Sequence, residues 1–339
     1  MSTTLDELID PASIAGLLAL GSSVVGGEPI AIVDVEGRLV GGTLPRSAAA
    51  RRQAIELEGR VVGSIVADAE APPALAALIA RSVELILAGS QRLASRVRLE
   101  HELAIGRRIQ LALLPQRFPA VAGWSFAARY EAAREVGGDF YDVFTIRGRS
   151  DRLALLVADV TGKGIPAALL MADVRALLHA AVDNADGPAD ALGRVNRILV
   201  RERPTSLFVT AALLVADAAS GEIRHASAGH EPLLVKRADG RLETLEAEGA
   251  LLGAFDEPVF EERSTTLAPG ELLVAYTDGI TEARDPAGRF FGEDRLLDLV
   301  RAGSANPDGV ADLIATAVGE FRSGEEPFDD LTLVVAGRD

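Results

Sequence analysis

The sequence predicts an α+β fold. Its C-terminal two thirds should form a two-sheet antiparallel β-sandwich flanked by helices (α-β-β-α), preceded by a long helical linker and a small α/β module. Three observations carry this. Short apolar runs bounded by turn residues recur from Ala120 to Asp339. Longer helical patterns are inserted between them in pairs, so that sheets first paired by hairpins acquire helices on their outer faces. From Ala74 to Leu114 the chain runs without a proline and is rich in Ala, Leu, Arg and Glu.

Composition sets the bounds. At 339 residues and 48% hydrophobic content there is room for two domains with packed cores. The expected division is 1–72, 73–114 and 115–339. The absence of cysteine excludes disulfides, thiolate catalysis and Cys-ligated zinc or iron–sulfur centres. A net charge of −16, with no basic cluster beyond Arg107–Arg108, argues against nucleic-acid binding. No apolar run approaches a membrane span, and the N-terminus lacks a basic n-region and cleavage site. The expectation is a soluble, cytoplasmic protein without a membrane partner.

Residues 1–72 carry a weak helical pattern over Leu5–Leu20 and two hairpins, Pro29–Val40 and Ala54–Ala67, each with a Glu-Gly turn. The module looks like a small sensor of the GAF or PAS sort, with a plain dimerisation module as the alternative. Its first 100 residues contain no Phe, Tyr, Trp, His or Cys. Haem ligation and the stacking of a flavin need such side chains, so no haem, flavin or bilin is expected.

Pro72–Pro73 close the module. The helix that follows could span roughly 60 Å. Leu75, Ile79, Ser82, Ile86, Gly89, Leu93 and Val97 alternate at spacings of four and three, as in a coiled coil. Two readings stand: a parallel homodimer through 74–114 that transmits a signal, or a helix packed on its own domains. Pro115 ends it.

Strands are then expected at Trp124–Tyr130, Phe140–Arg147, Leu153–Val160, Ser206–Ala218, Glu222–Ser227, Leu233–Lys236, Phe260–Leu267, Glu271–Thr277 and Leu331–Ala336. Helices are expected at Pro166–Asp183, Pro188–Arg203, Gly292–Ala302 and Asp308–Phe321. The stretch Leu153–Met171 organises the rest. An apolar strand ends in Asp159, Gly162 and Gly164 turn the chain, and Pro166 opens a helix. A Walker loop does not fit, because Gly164 stands where Ser or Thr is needed after Lys163.

Acidic residues recur at the ends of strands. Asp139 lies in EVGGDFYD, Asp159 ends the central strand, Asp278 follows LLVAYT, and Asp329–Asp330 precede LTLVVAG. Singly each reads as a turn residue. Converging within about 5 Å, each pair would repel by roughly 3 kcal/mol at an effective dielectric near 20. Such a cluster calls for divalent cations, and oxygen-only ligands select Mg²⁺ or Mn²⁺. Two such ions can clamp a phosphoryl group and activate a water for in-line attack.

EVGGDFYD, ADVTGKGIPAALLMA, SAGHEP, YTDGITEA and DDLTLVV, in this order, resemble SpoIIE-type phosphatases, bacterial members of the metal-dependent type 2C (PPM) serine/threonine protein phosphatases. Ile109–Gln116, IQLALLPQ, is similar to that family's opening helix, and the likeness covers about Gln110–Asp339. The resemblance implies two Mn²⁺ or Mg²⁺ ions bridged by Asp159. Asp139 and the Val160 carbonyl would hold one ion, Asp278 and Asp329 the other, with Asp330 as the alternative to Asp329. It further implies a phosphorylated partner protein, a STAS-domain anti-sigma-factor antagonist in a partner-switching pathway, with the N-terminal region gating the site. One departure matters. Where the wider family has a histidine two positions after the bridging Asp, this chain has Thr161, so the leaving oxygen must be protonated by water at the metals or by another group, His230 being a candidate. Arg134 and Lys163 are candidates for the substrate phosphate. Phe140, Tyr141 and Asp142 read as packing or capping residues. The competing functional readings are a pseudophosphatase scaffold and a small-molecule phosphoesterase.

Overall fold

The computed structural model describes residues 11–24, 29–47, 49–57, 59–202 and 207–339. The chain packs as two units, Met1–Glu102 and Leu103–Asp339.

In the first unit, α1 (Pro11–Val24) is followed by β1 (Ile30–Asp34), β2 (Leu39–Gly42), β3 (Arg51–Leu57) and β4 (Arg60–Ala67). They form one antiparallel sheet in the order β2-β1-β4-β3. The two expected hairpins are present, and Gly37 and Gly59 adopt the positive φ their turns require. Residues 5–10 of the expected first helix and Glu58 of the second turn lie outside the described residues.

The helix α2 (Pro73–Leu113) has 41 residues. It is not a free-standing linker over 73–114. Ala76, Ile79, Ala80, Val83 and Leu87 are buried with Ile32, Ile55 and Ile65 of the sheet, while its last turns belong to the second unit. The reason is the sheet's apolar face, which a four-stranded sheet cannot leave in water. The coiled-coil seam is therefore half used. Ile79 is buried, Leu75 and Ile86 are partly buried against the same core, and Leu93 and Val97 remain exposed.

The second unit contains two five-stranded antiparallel sheets. One has the order β12-β9-β8-β7-β6, from β6 (Phe140–Ile146), β7 (Arg149–Val160), β8 (Val209–Asp217), β9 (Glu222–Ala228) and β12 (Glu262–Thr266). The other has the order β11-β10-β13-β14-β5, from β5 (Trp124–Glu131), β10 (Leu233–Lys236), β11 (Leu242–Leu245), β13 (Leu272–Tyr276) and β14 (Leu331–Arg338). Against the first sheet pack α3 (Ile165–Asn184) and α4 (Pro188–Glu202); against the second pack α6 (Glu293–Ala302) and α7 (Pro307–Arg322). The α-β-β-α sandwich is thus observed. β7 is an interior strand paired with β6 and β8, and Leu153–Ala158 are all buried because one face meets the other sheet and the other meets α3. That is why it reads as a continuous apolar run rather than an alternating one.

Two elements escape the sequence patterns. β11, LETL, is an edge strand with one buried residue, so no apolar run marks it. A single helical turn, α5 (Asp278–Thr281), follows β13 directly. The expected start of β8 at Ser206 lies outside the described residues. By length and composition α3 is apolar enough to cross a membrane, contrary to the expectation that no segment is. Its apolar stripe, Ala167, Leu170, Met171, Val174, Leu178 and Val182, is buried in the protein core instead.

A polar clamp fixes α3 to β6. The buried Asp142 carboxylate accepts from His179 Nε2 at 2.7 Å and pairs with Arg175 Nη2 at 2.5 Å, and the His179 ring stacks on Phe144 at 3.7 Å. Asp142 is thus a packing residue, as its sequence reading has it. Replacing it with Ala should cost about 2–3 kcal/mol, since a charged acceptor is lost and Arg175 is left without it. Urea unfolding should show a lower midpoint at unchanged m-value.

Candidate active site

The acidic residues lie at neighbouring strand ends, two from one sheet and three from the other. Asp139 enters β6 and Asp159 leaves β7, and the pairing of Phe140 with Ala158 sets them side by side. Asp278 follows β13 and Asp329–Asp330 precede β14, the central neighbours of the other sheet.

Hydrogen bonds across the two sheets fix Asp139. Its Oδ2 accepts from Thr277 Oγ1 and Thr332 Oγ1, both at 2.7 Å. The loop before it is held by Asp330, whose Oδ1 accepts from the Ala133 amide at 2.8 Å and whose Oδ2 accepts from the Gly138 amide at 2.6 Å. Gln110, near the end of α2, donates to the Gly137 carbonyl at 2.6 Å and accepts from its amide at 3.0 Å. The two glycines of EVGGD are steric necessities. A Cβ at Gly137 would fall 2.2 Å from Asp330 Oδ2, and one at Gly138 would fall 2.7 Å from the Val160 carbonyl oxygen.

Burial and crowding make these carboxyls reluctant to ionise. Asp139 is raised well above the usual carboxylate range, first by burial and then by Asp159 and Asp330. Asp159 is pushed up to about 7 by burial and then by Asp278, against a hydrogen bond with Asp139 that lowers it. Asp278 is raised by burial and then by Asp329. Among the described residues, the ion pair within this group is that of Asp329 with Lys163 Nζ at 2.8 Å; the same ammonium donates to the Phe328 carbonyl at 2.6 Å and also lowers Asp278.

The other candidates separate. His230 bridges the sheets: Nδ1 meets Thr210 Oγ1 of β8 at 2.7 Å, and Nε2 donates to the Tyr276 carbonyl of β13 at 3.1 Å. Burial lowers it to about 4, so near neutral pH it is an uncharged strut with both nitrogens engaged. Thr161 is likewise committed, donating to the Phe208 carbonyl at 3.1 Å and accepting its amide at 2.8 Å. Arg134 is exposed, without an ion pair among the described residues, and lines a cleft of about 710 Å³ with Lys163. Sequence reasoning missed Gln110, Thr277 and Thr332 as site residues. Gln110 and Thr277 lie inside motifs quoted for their neighbours, and Thr332 is the outlier in an apolar strand.

The donors are all oxygen, and Asp139 and Asp159 have no ion pair among the described residues, which suits a hard dication. Among the described residues no three acidic or imidazole groups already form a ligand cage. The carboxyls are neighbours that press on one another, not a closed shell.

Two antiparallel sheets with flanking helices and an acidic cluster at one end define a protein of the type 2C phosphatase fold. The SiaA-PP2C domain of Pseudomonas aeruginosa matches with a TM-score of 0.63 at 25% identity, over 73% of this chain and 99% of that one. The family description "Stage II sporulation protein E (SpoIIE)" matches residues 149–339, and the chain belongs to that family. Protein IcfG of Synechocystis sp. is 30% identical over 264 residues, 70% of this chain and 41% of that protein. The phosphoserine phosphatase RsbU of Bacillus subtilis is 28% identical over 191 residues, 56% of each. The chain spans about half the length of the curated relatives it matches.

The raised Asp159 gives a signed prediction. An acid whose folded value lies above its unfolded one contributes stability at low pH and loses it as pH rises through the folded value. In EDTA the melting temperature should therefore fall between pH 5 and pH 8, and added Mn²⁺ should raise it more at pH 8 than at pH 5. A Mn²⁺ shift independent of pH would show that these carboxyls do not receive the ion.

Proposed function

We propose that this protein is a metal-dependent serine/threonine protein phosphatase. The observation that carries the reading is the meeting of Asp139, Asp159, Asp278 and Asp329 at neighbouring strand ends of both sheets. Asp159, flanked by the others, would be shared by two ions; Asp139 and the Val160 carbonyl would help to hold one, Asp278 and Asp329 the other. Asp330 is set aside as a ligand because both its oxygens are occupied by backbone amides. When bound, Mn²⁺ or Mg²⁺ supplies Lewis acidity at the phosphoryl group and an acidified water for in-line attack. The residues of the chain orient that chemistry. Thr277 and Thr332 fix the Asp139 carboxylate, and Arg134, exposed on the adjoining cleft, is placed to hold phosphate in a fork. Lys163, paired with Asp329, adds positive charge at the same edge.

The substrate we assign is a phosphorylated STAS-domain antagonist in a partner-switching pathway of the cytoplasm. The relative named phosphoserine phosphatase RsbU supports the reaction class. The N-terminal unit is assigned the input. Two contacts support a route: Gln110 of α2 grips Gly137 beside Asp139, and α3 opens directly from the loop after Asp159.

Manganese-dependent hydrolysis of p-nitrophenyl phosphate tests the reaction. Asp159→Asn should lower it by more than about 100-fold, beyond the loss usual for an outer-shell partner of a metal site. Turnover that needs no metal, or survives this change, would overturn the reading. Phosphorylated STAS proteins of the same genome test the substrate class, and metabolite turnover without phosphoprotein turnover would replace it by a small-molecule phosphoesterase.

Dimerisation through 74–114 is narrowed to what α2 leaves exposed, including Leu93 and Val97. Sedimentation should give a dimer at high micromolar concentration, and a change to Asp at Leu93 should shift it towards monomer. A monomeric parent chain would end this part of the proposal.

A further inference from the structure

Most arginines with resolved partners in the second unit are spent on carboxylates, as expected of a chain with net charge −16. Arg284 is different. It has no carboxylate partner among the described residues, and its Nε is buried without a hydrogen bond. Its guanidinium is held by rings instead, with Cζ 3.7 Å from the centroid of Phe328 and 5.1 Å from that of Phe290. A backbone bridge between Arg284 and Phe290 stiffens the hairpin beneath it. Its neighbour Asp285 is unavailable, being bound by Arg289 at 2.7 Å and by the Arg289 amide at 2.8 Å. The head is therefore positioned before any ligand arrives, and little rotamer freedom remains to be lost.

Its location gives that positioning a meaning. Phe328 immediately precedes Asp329, and Lys163 lies 4.6 Å from the same ring while pairing with Asp329. Arg284, Phe328, Lys163 and Arg134 all line the cleft of about 710 Å³ that adjoins the acidic cluster. Lys163 is already committed to the cluster; Arg284 is not. Glu325 and Glu326 line the cleft too, and neither is paired with Arg284.

We propose that Arg284 is a specificity residue that receives an acidic side chain of the protein substrate next to its phosphoserine. Resting on the phosphatase reading above, this names the kind of segment the cleft accepts. A guanidinium stacked on rings keeps its outer N–H fork directed at a planar carboxylate. A substrate with a carboxylate near the phosphoserine would meet Arg284 while its phosphoryl group lies at the aspartates.

The test uses the full chain with Mn²⁺ and two phosphoserine decapeptides, one with Glu flanking the phosphoserine and one with Gln at the same positions. The parent should favour the Glu peptide in kcat/KM by about fivefold, the upper range for a partly exposed ion pair, with the difference in KM. Arg284→Gln should remove the preference and Arg284→Lys should keep part of it; circular dichroism melts establish that the variants fold. A third peptide with flanking Lys, run on the parent alone, should be poorer than the Gln peptide. No preference in the parent, or a preference that survives Arg284→Gln, would overturn the inference and leave the phosphatase reading intact. Equal losses on all peptides and on p-nitrophenyl phosphate in Arg284→Gln would also overturn it, by showing that the arginine holds the phosphoryl group itself. A parent chain that cleaves neither peptides nor p-nitrophenyl phosphate would overturn the phosphatase reading first.

Discussion

Four carboxyls gathered at one end of two sheets repel one another, and the second unit is built to hold them there. At about 5 Å and an effective dielectric near 20, each charged pair costs roughly 3 kcal/mol. Hydrogen bonds from Thr277 and Thr332 to Asp139, each worth about 1.5–3 kcal/mol to a charged acceptor, offset one or two such pairs. Burial first, and then the neighbouring carboxyls, still raise Asp139, Asp159 and Asp278 above the usual carboxylate range. The protein thus compensates part of the repulsion by rigid donors and leaves part standing. Crowded carboxyl oxygens in such a site suit a hard dication better than they suit one another as bare charges.

The pair Asp329–Asp330 shows how adjacent identical residues acquire opposite tasks. At the start of β14 successive side chains point to opposite sides. Asp330 turns under the 133–139 loop and accepts its amides, while Asp329 turns towards Asp278 and Lys163. The packing around them leaves no slack. A Cβ at Gly279 would lie 1.8 Å from the Asp330 carbonyl oxygen, so the Asp-Gly after β13 is required by the approach of the neighbouring strand. The glycines at 137, 138 and 279 thus serve one purpose, which is to let three chain segments approach closely enough for their carboxyls to be neighbours.

Much of this was legible in the sequence because the strands of the sandwich are buried on both faces. β7 carries the unbroken apolar run Leu153–Ala158, and β14 is buried along nearly its whole length with Thr332 as its polar outlier; their ends mark the site. β11 was not legible, since an exposed edge strand has little apolar signal. Nor was the choice between Asp329 and Asp330, which depends on side-chain direction at a strand's first residues. The surroundings of His230 were not legible for a tertiary reason: Thr210 and Tyr276 come from different sheets, and only the fold brings both to one imidazole. The seam of α2 misleads in a similar way. A four-three apolar spacing does not distinguish a partner helix from the helix's own sheet, and at Ile79 the sheet takes the side chain.

The site is therefore fixed from several directions at once: by Gln110 from α2, by the two threonines and Asp330 from β13 and β14, and by the Asp142 clamp that seats α3 behind the loop after Asp159. Each support is a few hydrogen bonds, worth a few kcal/mol at most. Such a centre is well ordered when all supports are in register and sensitive to the displacement of any one. Gln110 is the support that comes from neither sheet: its side-chain amide holds both the carbonyl and the N–H of Gly137, two residues from Asp139, so the position of the loop depends on the end of α2 as well as on the strands.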